Sequence, residues 1–271
     1  MLKWADENNC PWNATMWDFI TCQKAVERGH LDILKYAHEK GYEMKTGAIY
    51  RAIETGHLDI LQHADEHGLL GRYSGDGGSG DSIAMCPGAA KNRRLGMLKL
   101  SRKNGIPWHE ATCWNAAEGG HLHVLKWAHQ NGCPWNENTC SAAAANGRLK
   151  IVMWAHENGC PWNEDTCGTA AAGGHLHVIQ YAHEHGCPWH EDTTVWAAHN
   201  GRLDMLQYVH EHGCPWNEDT TAWAARNGRL HMLKYAHRNG CPWDQITYKY
   251  ALVAGGDMLK YVEDNKCPRG D

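Results

Sequence analysis

The sequence predicts an all-α solenoid made of stacked helix-turn-helix repeats. A Pro-Trp pair returns every 27 residues, each copy carries two apolar segments with the period of a helix, and a glycine follows each segment. The tryptophan of the pair stands at Trp108, Trp135, Trp162, Trp189, Trp216 and Trp243. A unit this short cannot bury an apolar face by itself, so neighbouring copies must cover one another.

The first apolar segment of each repeat is rich in alanine, as residues 139–145 show. Alanine is the best helix former, and its small side chain lets a second helix approach closely. The pattern predicts a helix that starts at Asn138 and ends at Gly147. In each repeat, one side chain is predicted to cap the first helix by accepting a hydrogen bond from a free backbone N–H. In four successive repeats these residues are Asn138, Asp165, Asp192 and Asp219.

The second apolar segment predicts an amphipathic helix of about ten residues. In one copy its apolar residues are Leu122, Val124, Leu125, Trp127 and Ala128, and its polar residues are His123, Lys126 and Gln130. A helix of this length is unstable alone in water. Its stability must therefore come from packing against the neighbouring copies.

Glycines end both helices, where a left-handed backbone conformation is needed. The turn between the two helices contains Gly120, Gly147, Gly174, Gly201 and Gly228, and the loop after the second helix contains Gly132, Gly159, Gly186, Gly213 and Gly240. A proline follows each loop glycine by two residues and prevents the helix from continuing. Arg93 stands where the turn glycine of its copy belongs, so this copy is predicted to be the weakest.

The domain prediction is one repeat array over residues 1–271. It includes a partial N-terminal repeat over 1–12, a flexible Gly/Ser-rich insertion over 72–82 and a degenerate C-terminal repeat over 257–271. The first residues are interrupted by charges and hold no apolar run, so a secretory signal is not expected. We expect no transmembrane segment, a monomer, and an intracellular, cytoplasmic location.

The charge pattern gives an expectation about partners. The formal net charge is -5, the pI is about 6.5, and lysine and arginine form no run. A basic patch is the usual footprint of a protein that binds nucleic acid or an anionic membrane. We therefore expect no nucleic acid and no membrane among the partners.

The twelve cysteines and 20 histidines raise the question of disulfides and metals. Equivalent residues of stacked repeats lie roughly 8–10 Å apart, beyond the reach of a disulfide. Free buried cysteines in a reducing compartment are therefore expected. Histidine stands four residues before the loop cysteine in five copies, at His129, His156, His183, His210 and His237. These histidines are expected to cap helix carbonyls, and a Cys/His metal site is kept as the alternative.

No catalytic residue, metal or cofactor is predicted. Residues present in every copy would repeat an active site many times, and no copy carries a distinctive nucleophile beside a base. Residues 75–81 hold glycines but lack the Gly-Lys-Ser/Thr ending of a phosphate loop. The loop tryptophans are expected to pack between adjacent loops.

The segment Gly-His-Leu-x-Val-Leu-Lys at 120–126, together with the Ala143-Ala144 pair and Gly147, resembles the ankyrin repeat. The ankyrin repeat has 33 residues, whereas this unit has 27, and the missing residues fall between Asn136 and Asn138. The resemblance implies that the β-hairpin fingers of the ankyrin fold are largely absent. The unit is similar to the short ankyrin-like repeat, with a Cys-Pro-Trp loop, of large DNA viruses and some protists.

The resemblance also implies a binding surface at positions where the copies differ. In ankyrin repeats the residue two before the turn glycine lies on the concave face and contacts partners. Here that position holds Glu27, Glu54, Glu118, Ala145, Ala172, His199, Arg226 and Val253. A second variable position holds Trp114, Ser141, Gly168, Val195, Ala222 and Lys249. The partner-binding residues predicted are Glu118, Ala145, Ala172, His199, Arg226, Trp114 and Ser141.

The predicted function is a non-enzymatic scaffold that binds a protein partner through the concave face. Two alternatives stay open. One is a structural or decoy repeat fragment with no specific partner, and the other is the Cys/His metal-binding protein.

Overall fold

The computed structural model describes residues 22–41, 44, 46–68 and 81–270, and within them all regular structure is helical. The helices are α1 Cys22–Glu27, α2 Leu31–Glu39, α3 Thr46–Thr55, α4 Leu58–Glu66, α5 Asp81–Lys91, α6 Leu95–Lys103, α7 Ala111–Glu118, α8 Leu122–Gln130, α9 Glu137–Ala145, α10 Leu149–Glu157, α11 Glu164–Ala172, α12 Leu176–Glu184, α13 Thr193–His199, α14 Leu203–Glu211, α15 Asp219–Arg226, α16 Leu230–Arg238, α17 Gln245–Ala254 and α18 Gly256–Asp264. Odd-numbered helices are the first helices of their repeats, and even-numbered helices are the second.

Two of the predicted domain features involve residues that the structure does not describe. The partial repeat over 1–12 and residues 72–80 of the insertion lie outside the described ranges. The last two residues of the predicted insertion, 81 and 82, belong to α5. The predicted degenerate repeat over 257–271 contains most of α18, which packs against α17.

The chain divides into two compact units, Met1–Trp135 and Asn136–Asp271. In the first unit the first helices α1, α3, α5 and α7 pack in sequence, and each second helix packs on its own first helix. In the second unit α9, α11, α13, α15 and α17 pack in the same way. Each unit is thus a stack of helix pairs, which confirms the predicted repeat fold. That one array runs through both units stays a prediction.

The core of a repeat is made of small residues from the first helix and branched ones from the second. Ala143 and Ala144 of α9 are completely buried, as is Val152 of α10, and Ile151 is 2% exposed. A buried valine or isoleucine side chain, such as Val152 or Ile151, contributes about 1.5–3 kcal/mol. The alanines let first helices of adjacent repeats approach closely, so short helices gain stability from their neighbours.

The turns have the backbone that the glycines predict. All ten glycines of the two predicted sets have positive φ, for example 80° at Gly120 and 79° at Gly132. Arg93 adopts φ 60° at the turn position where other copies have glycine. The only other described residue besides glycine with positive φ is Lys266, at 58°.

The predicted helix caps are displaced by two residues. The side chain that accepts from the first free N–H groups belongs to the residue directly after Pro-Trp, not to Asn138 or its equivalents. Asn136 Oδ1 accepts from the N–H of Asn138 at 3.1 Å, and His190 Nδ1 accepts from that of Asp192 at 3.0 Å. The same position accepts such a bond at His109, Asn217 and Asp244, but not at Asn163, whose buried Oδ1 has no hydrogen-bond partner among the described residues. In α9 the helix therefore begins at Glu137, one residue before the predicted start, because the cap precedes the first helical residue.

The loop histidines stack on the loop tryptophans. The ring centroids of His156 and Trp162 are 3.8 Å apart, with the planes 14° from parallel, and the other pairs are His129–Trp135, His183–Trp189, His210–Trp216 and His237–Trp243. The loop histidines were expected to cap helix carbonyls. The residue after the turn glycine bonds carbonyls of the preceding repeat instead. His121 Nε2–H donates to the carbonyl of Lys91 at 3.0 Å, one repeat earlier. His57, Arg94, His175 and Arg202 bond the preceding repeat in the same way.

The loops of adjacent repeats are also joined by the Cys-Pro-Trp residues. The Trp216 indole N–H donates to the Asn239 carbonyl at 2.9 Å, and the Cys187 thiol donates to the Asn163 carbonyl at 3.1 Å. Equivalent indole bonds are made by Trp108 and Trp189. These contacts confirm that the loop tryptophans pack between loops. The eleven cysteines among the described residues are all free and buried.

Candidate binding surface

The first helices of the second unit carry a connected group of aromatic and basic side chains. We define the aromatic surface as Trp196 and His199 of α13, Trp223 and Arg226 of α15, and Tyr250 of α17. Trp196 is 36% exposed, and His199 and Arg226 are exposed as well. Trp196, Trp223 and Tyr250 occupy one position of the repeat. His199 and Arg226 occupy the position three residues later.

Ring contacts join these side chains across two repeats, α13 and α15. The centroids of Trp196 and His199 are 5.9 Å apart, and those of His199 and Trp223 are 4.8 Å apart, both edge to face. Edge-to-face contact within about 7 Å is favourable for aromatic rings. A partner would therefore meet side chains whose rotamers are already restricted, which lowers the entropy lost on binding.

Arg226 lies between two rings. Its guanidinium carbon is 4.7 Å from the Trp223 centroid and 5.6 Å from the Tyr250 centroid. The positive charge is held on the ring faces by the cation–π interaction. The donors of the guanidinium remain available, because an aromatic face takes up charge without accepting the N–H bonds of the planar group.

The same two positions hold small residues in the two preceding repeats. Ala142 and Ala145 stand there in α9, and Thr169 and Ala172 in α11. The Thr169 hydroxyl donates to the carbonyls of Asp165 and Ser141 within the unit. At these two positions of the second unit, the large side chains are thus confined to α13, α15 and α17.

The structure places the predicted partner-binding residues unevenly. Ala172, His199 and Arg226 are exposed on the first helices of the second unit, and Ala145 is half-buried beside them. Ser141 is only 9% exposed, because its position faces the neighbouring first helix, and its hydroxyl has no hydrogen-bond partner among the described residues. We leave Ser141 out of the proposed surface.

In the first unit, Trp114 and Glu118 lie on α7. Trp114 is 37% exposed. A carboxylate oxygen of Glu118 is 3.1 Å from the ammonium of Lys91, one repeat earlier. An exposed pair of this kind contributes little to stability, so Glu118 can change partners at low cost.

Trp196, Trp223 and Tyr250 were missed by sequence reasoning. They occupy a third variable position, which holds Asn115, Ala142 and Thr169 in the earlier copies. The rule that selected His199 and Arg226, disagreement between copies, also selects this position. It could have been found from the sequence, because it lies one helical turn before the first set.

The cysteine thiols that the structure describes are buried, which disfavours nucleophilic chemistry. Burial raises the pKa of Cys86 to about 11 and the pKa of Cys214 to about 12, so both are thiols near neutral pH. A hydrogen bond from the Cys167 thiol lowers the pKa of Cys187, but this sulfur is buried in the loop core with Ala182. A reactive cysteine needs access to its substrate.

The described part of the chain contains no helix with the length and apolar character needed to cross a membrane.

No family model matches this sequence, and no curated protein is significantly similar to it. Solved structures share its fold. The human ASB11 ankyrin repeat domain aligns with 72% of this chain and 99% of its own, with a TM-score of 0.55 and 15% identity. The pentatricopeptide repeat protein PPR10, in complex with an 18-nt psaJ RNA element, aligns with 90% of this chain at a TM-score of 0.50 and 12% identity. The match covers 43% of that protein, so this chain spans less than half of its length.

These likenesses show a helical repeat fold, and they correct one expectation. The exclusion of nucleic acid as a partner is wrong, because a chain of this fold is found in complex with RNA. The exclusion was based on net charge and on the lack of a run of lysine or arginine. Helical repeat proteins contact RNA with a few side chains from each stacked repeat, so no basic run in the sequence is required.

Proposed function

We propose that this chain is a non-enzymatic scaffold that binds a protein partner through the first-helix face of the unit Asn136–Asp271. The observation that carries the proposal is the aromatic surface, a connected row of tryptophan, histidine, arginine and tyrosine on three successive repeats. Tryptophan, tyrosine and arginine are the residues that most often dominate binding energy at protein interfaces. They do so by burying large areas and donating several hydrogen bonds from one site.

The fold supports a binding role. Stacked repeats present equivalent positions in a row, and an extended surface of this kind suits an extended partner. Most contacts that hold the repeats together are made by turn, loop and buried residues, and the exposed side chains of the first helices add only surface contacts such as that of His199 with Trp223. Substitution on the outer side of the first helices therefore alters binding without disturbing the stack.

The 27-residue unit is, in this proposal, a short ankyrin-like repeat of the type found in large DNA viruses and some protists. The resemblance rests on the Gly-His-Leu segment and the alanine pair. The predicted concave face of that family corresponds to the first-helix face here. The small residues Ala142 and Ala172 leave room for the partner beside the aromatic surface.

A second candidate function is binding of single-stranded RNA. The arrangement of Arg226 against Trp223 and Tyr250 favours it, since bases stack on aromatic rings and on guanidinium planes. The two candidates use the same side chains. Enzyme treatment of the captured partner distinguishes them: ribonuclease destroys an RNA partner, and protease destroys a protein partner.

The test is affinity capture with the full chain, identification of the bound partner, and measurement of its dissociation constant for variants. The variant W196A/W223A/R226E removes two large contacts and reverses one charge. We expect its affinity to fall by at least about 30-fold, since a single hot-spot residue is worth 2 kcal/mol or more. R238E is the matched control, because Arg238 is exposed at the end of the second helix of the repeat that contains Arg226.

The proposal requires R238E to bind as the unchanged chain does. Equal binding by the triple variant, with its fold verified by circular dichroism, would place the contact elsewhere. A partner that disappears after ribonuclease treatment would favour the second candidate. Absence of any specific partner would favour the structural or decoy alternative.

A further inference from the structure

Three histidines from two repeats lie together at the second helices of the first unit. His38 is in the last turn of α2, His63 is in α4, and His67 directly follows α4. The ring centroids are 4.2 Å apart for His63 and His67, 4.5 Å for His38 and His67, and 5.7 Å for His38 and His63. The cluster shares no residue with the aromatic surface, and the inference drawn from it does not depend on the proposed function.

The most informative member is His63. It is 6% exposed, and its Nε2 is buried with no hydrogen-bond partner among the described residues. A buried polar nitrogen without a partner costs about 1–3 kcal/mol. A ligand on this nitrogen would remove the cost.

The tautomer of His67 leaves a second nitrogen lone pair. His67 Nδ1 lies 2.8 Å from the His63 carbonyl, and because a carbonyl only accepts, Nδ1 carries the proton and donates. The Nε2 of neutral His67 is then an unprotonated electron-pair donor. In histidines that bind metals, a hydrogen bond from the other ring nitrogen typically fixes the tautomer in this way.

A carboxylate completes the group. One donor atom each from His63, Glu66 and His67 lie within 4.8 Å of one another. Two nitrogens bound to one zinc ion, each at about 2.0–2.1 Å, are at most about 4 Å apart. Glu66 and His67 are exposed, so a small side-chain rotation brings their ligand atoms to that distance.

The repeats provide an internal comparison. In the later copy the equivalent residues are His156, Tyr181, Glu184 and His185, so a tyrosine stands where His63 is. His156 there stacks on Trp162, whereas the earlier copy has Met44 at the tryptophan position. The earlier copy thus has methionine where tryptophan stacks on the histidine in the later copy. His63 supplies an imidazole where the later copy has the phenol of Tyr181, which binds zinc poorly.

We propose that His63, Glu66 and His67 bind a zinc ion through their imidazole nitrogens and a carboxylate oxygen, with His38 or a water molecule as the fourth ligand. Neutral imidazole suits zinc and similar transition metals, and two histidines with a glutamate, or three histidines, form common tetrahedral sites with one further ligand. Burial, and then the neighbouring His67 and His38, lower the pKa of His63, so this side chain is neutral near pH 7. With His38 as the fourth ligand, the ion joins α2 to α4 and so fastens two adjacent repeats.

The test uses the untagged full chain in reducing buffer, stripped of metal with a chelator and titrated with Zn²⁺ by calorimetry. We expect one high-affinity ion per chain and a rise in melting temperature with zinc. H63Y introduces the residue that the equivalent position has in α12, so the fold is retained. Its zinc affinity should fall by more than about 100-fold, because even outer-shell substitutions cost 10–100-fold.

The twelve cysteines require a control for thiolate binding. Co²⁺ substituted for Zn²⁺ should give a spectrum without the near-ultraviolet band of a cobalt–thiolate bond. A strong thiolate band, no zinc uptake, or uptake that H63Y leaves unchanged would overturn the assignment.

The later copy allows a gain-of-site test. W162M/Y181H gives that cluster the residues of the earlier one, and the zinc stoichiometry of the folded variant should rise from one to two. A stoichiometry that stays at one would show that this arrangement of imidazoles does not hold the ion, which contradicts the proposal.

Discussion

At the scale of single residues, the left-handed backbone of Arg93 is the clearest departure from the repeat pattern. Left-handed backbone costs an L-residue about 1–2 kcal/mol, and glycine avoids this cost while losing somewhat more entropy on folding. We predict that R93G raises the free energy of unfolding by about 0.5–1 kcal/mol. The measurement is chemical denaturation, followed through the unfolding transition of the first unit.

The matched control for this prediction is R93A. Alanine removes the arginine side chain but keeps the Cβ, so it should give no gain. If R93A stabilises as much as R93G, the side chain and not the backbone is the cause.

At the scale of elements, the residue after Pro-Trp caps the start of α17, the first helix of its repeat. Asp244 Oδ1 accepts from the N–H groups of Ile246 and Thr247, at 2.9 and 3.2 Å. We predict that D244A destabilises α17 by about 1 kcal/mol. Hydrogen exchange of the α17 amides reports this loss directly.

D244N should behave like the unchanged chain, since asparagine caps the equivalent helix at Asn136. Equal exchange in D244A and D244N would mean that the carboxylate charge, or no cap at all, controls the start of α17.

The elements show how far the sequence alone could be interpreted. The period of 27, the glycines and the alanine pair predicted the helix pairs and their turns, because these features depend on local backbone and on packing at fixed spacing. The caps were displaced because Asn136 and Asn138 are both capping residues, and only the path of the loop decides between them. The stacking of His156 on Trp162 was missed since it depends on where the loop returns.

The candidate surface was only partly predictable. His199 and Arg226 follow from variability between copies, but the ring contacts that join them to Trp223 depend on the offset between successive first helices. The burial of Ser141 follows from the same offset. No sequence pattern gives that offset directly.

At the scale of the whole molecule, the histidines predict a pH-dependent stability. Burial is the main cause that lowers the pKa of His156, His175, His183 and His237, as it does for His63. A lowered pKa means that the unfolded chain, with histidine pKa near 6.5, binds more protons. Stability is therefore complete above about pH 7 and falls as the pH drops through about 6.5 toward the lower folded values.

We predict a melting temperature several degrees lower at pH 5.5 than at pH 7.5, since each kcal/mol is worth about 2–4 °C in a chain of this size. H156Q/H183Q should reduce the difference, because two of these histidines no longer titrate. Coinciding melts of the unchanged chain at both pH values would rule the prediction out.

The whole molecule is, in our account, a scaffold whose partner lies on the first helices, and photo-crosslinking tests this most directly. A photo-reactive phenylalanine analogue replaces Tyr250 of α17 in one variant and Lys260 of α18 in another, so both report from the same repeat. We predict that the captured partner is crosslinked from position 250 and not from position 260. Crosslinking from position 260 alone would contradict the central claim.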